Sequence, residues 1–101
     1  MGVSEVDMDA NLKFQKALFL LDHNQLEKGR FLLEDVVLQA ENENNIITLV
    51  QASVCLGELL CEIGLPHEAK PILQKILKYK SNDLGLEYEF EKTSELLSTD
   101  N

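Results

Sequence analysis

The sequence has no tryptophan, and aromatic residues make up only 6% of its 101 positions. Two prolines and five glycines are too few for the many turns of a β-sandwich. Basic residues are scarce: nine Lys and Arg stand against eighteen Asp and Glu, for a net charge of −9. That balance argues against nucleic-acid or anionic-membrane binding, which both need a dominant basic face. Long hydrophobic runs are missing too. The longest, Ala17 to Leu21, falls far short of the ~20 residues of a membrane span. No basic stretch followed by an apolar one opens the chain, so no signal peptide is read. Met1-Gly2-Val3-Ser4-Glu5-Val6 has Val where a myristoylation signal wants Ser or Thr. The two cysteines, Cys55 and Cys61, lie on different faces of one helical pattern, about 9 Å apart along it, too far to pair with each other. They read as buried, reduced thiols of a cytoplasmic protein. From Met1 to a polar Asp100-Asn101 end, the chain is expected to be free-standing and to form one small domain.

What is present is helical patterning. With 45% hydrophobic residues a core can form, and five amphipathic segments follow the 3.6-residue period. The first puts Ala10, Phe14, Ala17, Leu18 and Leu21 on one face, capped by Asp7 or Asp9 and ended by Asp22-His23-Asn24. The second, from near Gln25, carries Leu26, Gly29, Leu33, Val36, Val37 and Ala40, and ends in the polar run Glu41 to Asn45. The third starts near Ile46 or Ile47, carries Leu49, Ala52, Leu56, Leu59, Leu60 and Ile63, and stops at Gly64. Pro66 opens the fourth, with Ala69, Ile72, Leu73, Ile76 and Leu77 inward. Pro71 lies inside that pattern and predicts an irregular or 3₁₀-like start. Ser81-Asn82-Asp83 is expected to cap a fifth helix bearing Leu86, Phe90, Thr93 and Leu97. No segment alternates with period two, so no sheet is expected.

Set against itself at an offset of 40, the chain repeats. Ala17 falls on Gly57, Phe19 on Leu59, Leu20 on Leu60, Gly29 on Ala69, Arg30 on Lys70, Leu33 on Leu73, Val36 on Ile76 and Val37 on Leu77. Small residues at 17/57 and 29/69 let two helices approach, and large apolar residues at 20/60 and 33/73 fill the seam between them. Each unit therefore reads as a helical hairpin.

Leu56-Gly57, Leu60, Gly64, Ala69, Leu73 and Ile76 follow the spacing of the tetratricopeptide repeat, which the chain resembles over about residues 10 to 80. The usual period of that family is 34 residues; here it is 40, with the extra residues placed around Glu41 to Asn45. The first unit departs from the pattern, with Lys16-Ala17 where Leu-Gly would stand, and Ser81 replaces the family's late proline. The resemblance implies an all-α fold of about five helices: a right-handed superhelical stack of two antiparallel hairpins, about 8–43 and 46–80, with a capping helix at about 83–98. It also implies a concave inner face, lined by Asn11, Phe14, Leu18, Gln51, Val54, Glu58, Cys61 and Glu62. Some family members grip a C-terminal carboxylate with Lys and Asn there. Phe14, Leu18, Val54 and Glu58 stand at those positions instead, so that clamp is not expected. Leu18 and Val54 read equally as core, should the fifth helix fold back over the groove.

Chemistry is not legible. A thiol at Cys55 or Cys61 would need His23 or His67 as its base, and both histidines sit near turns at unrelated repeat positions. The spacings suit no zinc site, and no glycine-rich phosphate loop is present. Charge is uneven: Lys70, Lys75, Lys78 and Lys80 form a basic strip, and the residues after Asp83 are acidic with Lys92 alone opposing them. Lysines near a helix C-terminus and acids near the next N-terminus account for most of that.

The function expected from all this is non-enzymatic and needs no cofactor. It is an adaptor binding a peptide or helix of a partner protein, basic or amphipathic, in the concave groove. A small secretion-type chaperone or an acidic inhibitor would be specific forms of it. Two and a half hairpins bury little core, so a structural homodimer is the alternative class, with the peptide-sensing domain of a regulator behind it.

Overall fold

Three turns of one kind organise the chain. The structure, a computed structural model, describes residues 8–82 and 84–98. They form α1 (Ala10–Asp22), α2 (Leu26–Asn42), α3 (Ile46–Glu62), α4 (Pro66–Ile76), a 3₁₀ segment (Leu77–Asn82) and α5 (Glu87–Ser98). The fold is all-α, with no strand among the described residues. Each of the first three helices ends on a residue with positive φ: Asn24 at 61°, Asn44 at 57° and Gly64 at 85°. Glycine enters this region freely, and asparagine is among the few other residues that do so at low cost. The residue after each turn donates its N–H five residues back: Gln25 to the Leu20 carbonyl at 2.9 Å, Asn45 to Ala40 at 2.9 Å, Leu65 to Leu60 at 2.7 Å. This is the Schellman closure of a helix end, placed every twenty residues. The next helix begins at once, so α1 to α4 fold back and forth as antiparallel neighbours.

The turns also explain the long repeat. The polar run Glu41 to Asn45 is not an inserted loop: α2 continues through Asn42, and only Glu43-Asn44-Asn45 connects it to α3. Asn45 then caps α3, its side chain accepting from the Thr48 N–H at 3.2 Å. α2 and α3 are accordingly long, 17 residues each. At the chain's start Asp9 is the N-cap of α1, accepting from the Leu12 N–H at 2.8 Å; the alternative cap, Asp7, lies outside the described residues.

Two expectations are corrected in the fourth and fifth helices. The Pro71 region is regular α-helix, and the 3₁₀ geometry comes at the far end, Leu77–Asn82. Pro71 is exposed, and so is His67, the residue whose carbonyl loses its partner, so water can satisfy it. Residues 81 and 82 belong to that 3₁₀ segment and do not cap α5, which starts at Glu87; Asp83 lies outside the described residues. The turn into α5 falls at Gly85, whose φ of 72° a glycine adopts without strain, and it drops Leu86 into the core.

Close approach within each hairpin rests on glycine. A Cβ on Gly29 would stand 2.6 Å from Leu21 Cδ2, and one on Gly57 would stand 2.8 Å from Leu73 Cδ2. Around these contacts one core cluster joins the two hairpins through Phe14, Ala17, Leu33, Leu56, Leu60 and Leu73. A second cluster at one end of the molecule gathers Ala10, Ala40, Leu49, Val50, Ile76, Leu86 and Phe90, and so ties α5 to the helices before it. The molecule is a flattened slab of 48 × 31 × 18 Å. Among the described residues, no helix is long and apolar enough to cross a membrane.

Candidate interaction cleft

The same 40-residue offset relates the burial of the odd-numbered helices. Ala10, Val50 and Phe90 are all buried, as are Lys13, Ser53 and Thr93. Thus α5 presents the same face inward as α1 and α3, and it packs against α3 and α4. Its contacts divide the expected groove. Leu96 and Leu97 meet Cys61, Pro66, Ala69 and Leu73 in a seam whose residual cavity is about 10 Å³, too small to admit a ligand. Lys92 Nζ reaches Glu58 Oε2 at 3.6 Å. Toward its start, α5 stands off from α1 and leaves a cleft of about 320 Å³.

That cleft is built by α1, α3 and α5. Phe14 and Gln15 come from α1, Gln51, Val54, Cys55 and Glu58 from α3, and Tyr88 and Glu89 from α5. Phe14 and Val54 are almost wholly buried, 8% and 3% exposed, so they form an apolar floor and belong to the core as much as to the groove. Tyr88 is 64% exposed and walls the cleft. Of the eight groove residues expected from sequence, Phe14, Gln51, Val54 and Glu58 come together here. Cys61 lies in the closed seam beneath α5 instead. Leu18 is half-buried against the hairpin core, and Asn11 and Glu62 are exposed outside the cleft lining. Gln15, Cys55, Tyr88 and Glu89 escaped the sequence reading. For Tyr88 and Glu89 no signal was present: at an offset of 40 they fall on Thr48 and Leu49, which are buried and do not line the cleft.

The electrostatics of the cleft are acidic and unreactive. Burial, together with the charges of Glu58 and Glu62, pushes the Cys55 thiol up to about 11, so at neutral pH it stays protonated. Neither cysteine is in a disulfide. His23 is occupied elsewhere: its Nδ1 lies 2.9 Å from the Phe19 carbonyl and its ring stacks on Phe19 with centroids 4.0 Å apart. Among the described residues, no group of three or more His, Cys, Asp or Glu is arranged to hold a metal ion. What the cleft offers is an apolar floor, amide groups at Gln15 and Gln51, and carboxylates at Glu58 and Glu89. No family model, curated protein or solved structure matches the chain.

Proposed function

We propose that the protein is a non-enzymatic binding module of the tetratricopeptide-repeat type, taking a basic, amphipathic segment of another protein into the cleft between α1, α3 and α5. The repeat reading is supported by the Schellman turns at Asn24, Asn44 and Gly64 and by matched burial at 10/50/90 and 13/53/93. In a stack of that type the first helices of successive hairpins line one concave face, and α1, α3 and α5 are those helices. The observation that carries the binding reading is the cleft itself. An apolar floor at Phe14 and Val54 sits under Glu58, Glu89 and the exposed Tyr88 ring. A ring held open to solvent beside carboxylates suits a segment that brings apolar side chains inward and cations to the rim.

Selection of displayed random peptides on the immobilised protein tests this. Enriched sequences should be basic and amphipathic, and a Tyr88→Ala plus Glu89→Lys variant with unchanged helicity should fail to retain them. Enrichment of acidic peptides, or equal retention by the variant, would remove the cleft from consideration.

A further inference from the structure

The first hairpin has an uncovered side, and the repeat shows what kind of surface it is. On α3, Ala52, Leu56 and Leu59 form the stripe that packs against α2, and all three are buried. Forty residues earlier the same stripe is Leu12, Lys16 and Phe19, on α1. There Phe19 is 57% exposed, where its counterpart Leu59 is 6% exposed. Phe31 of α2 is likewise 58% exposed. Between the two helices runs a groove of about 480 Å³ that includes Leu20, Phe31 and Leu32 with Lys28 and Asp35. Exposed apolar side chains around a groove of this kind mark an interaction surface on a small domain.

We infer that the α1/α2 face associates with the same face of a second copy of this chain. The charges select that occupant. Lys28 precedes Phe31 by three residues, and Asp35 follows Leu32 by three. Two copies of α2 laid antiparallel across a two-fold axis at Phe31 and Leu32 place each Lys28 opposite the other copy's Asp35. The face is therefore complementary to itself. Asp35 remains available for this, since it keeps 51% of its side chain exposed while bonding Lys13. The surrounding charge acts in the same direction. The chain as a whole carries −9, yet Asp35 is the one carboxylate that lines this groove. Two copies thus meet away from the acidic surfaces that repel. This groove and the cleft share no lining residue.

Sedimentation equilibrium of the full chain tests this over a range reaching about 200 μM, where an interface even of modest affinity is populated. The expected result is a monomer–dimer equilibrium with no larger species. Phe31→Glu and Phe19→Glu, both at exposed positions on different helices, should each weaken it at least about tenfold while helicity is retained. Lys28→Glu should weaken it more at low salt than at high salt, and Tyr88→Ala should leave it unchanged. A wild type that sediments as 11.4 kDa throughout would overturn the inference. So would a dimer indifferent to Phe19 and Phe31, and so would growth beyond the dimer, which signals head-to-tail contact.

Discussion

Lys13 Nζ lies 2.8 Å from Asp35 Oδ2, and the two ends of this ion pair live in different media: the lysine side chain is 9% exposed, the aspartate 51%. Lys13 stands between Ala10 and Ala17 on the inward face of α1, and the pair fastens α1 to α2. The asymmetry gives an ordered prediction. Asp35→Asn strips a buried ammonium of its counter-charge and is expected to cost about 1–3 kcal/mol. Lys13→Met keeps the apolar stem, leaves only a solvated carboxylate behind, and should cost less than about 1 kcal/mol. Urea unfolding midpoints of the two variants check the order.

Gly29 and Gly57 make similar close approaches but should not be equivalent. Leu73, which faces Gly57, is fully buried and its Cγ and both Cδ atoms crowd the missing methyl. Leu21, which faces Gly29, is only half-buried and can turn aside. Gly57→Ala is expected to lose about 1–2 kcal/mol, the overpacking outweighing alanine's better helix preference. Gly29→Ala should fall within about 0.5 kcal/mol of wild type. Thermal unfolding followed at a helical signal measures both.

The helices and the hairpin seam were legible because their determinants are local and periodic. Ala10, Phe14, Ala17, Leu33, Leu56 and Leu73 all repeat at helical spacing, and all are buried. Lys13 fills the same inward face, yet its residue type masks its position; only a partner on another helix makes its burial tolerable. The start of α5 was misplaced because Ser81-Asn82 looks like a cap but lies in the 3₁₀ segment, while Gly85 makes the turn. For the cleft, Phe14, Gln51, Val54 and Glu58 followed from the repeat, whereas Gln15 and Cys55 beside them did not. Its third wall did not, because nothing local to Tyr88 and Glu89 says where α5 docks.

Ser53 is 1% exposed, and its Oγ has no hydrogen-bond partner among the protein's atoms. Its equivalents at 13 and 93 are both satisfied, Lys13 by Asp35 and Thr93 by the Glu89 carbonyl. Ser53→Ala removes a desolvated hydroxyl from the middle of α3 and is expected to stabilise by about 0.5–1 kcal/mol. A lower unfolding midpoint in the variant would contradict this account of the α3 core.

Cys55 should behave as an unreactive thiol. With its ionisation pushed from 9.0 to about 11, thiolate at neutral pH is scarce. In a Cys61→Ala background, alkylation near pH 7 should run about a hundredfold slower than for a free thiol, and the rate should climb through pH 9 toward 11. The sign follows from burial: the neutral form is favoured in the fold, so raising the pH is what exposes the nucleophile. Fast neutral-pH labelling with a midpoint below 9 would show that α5 does not shield this side of α3.

The central claim is that α1, α3 and α5 together form a binding surface. Backbone amide shifts recorded while a selected basic amphipathic peptide is titrated in test it most directly. The account predicts that the largest changes fall on Gln15, Gln51, Cys55, Glu58, Tyr88 and Glu89, from all three helices at once. Changes confined to α2 and α4, or to the α1/α2 face around Phe19 and Phe31, would contradict it.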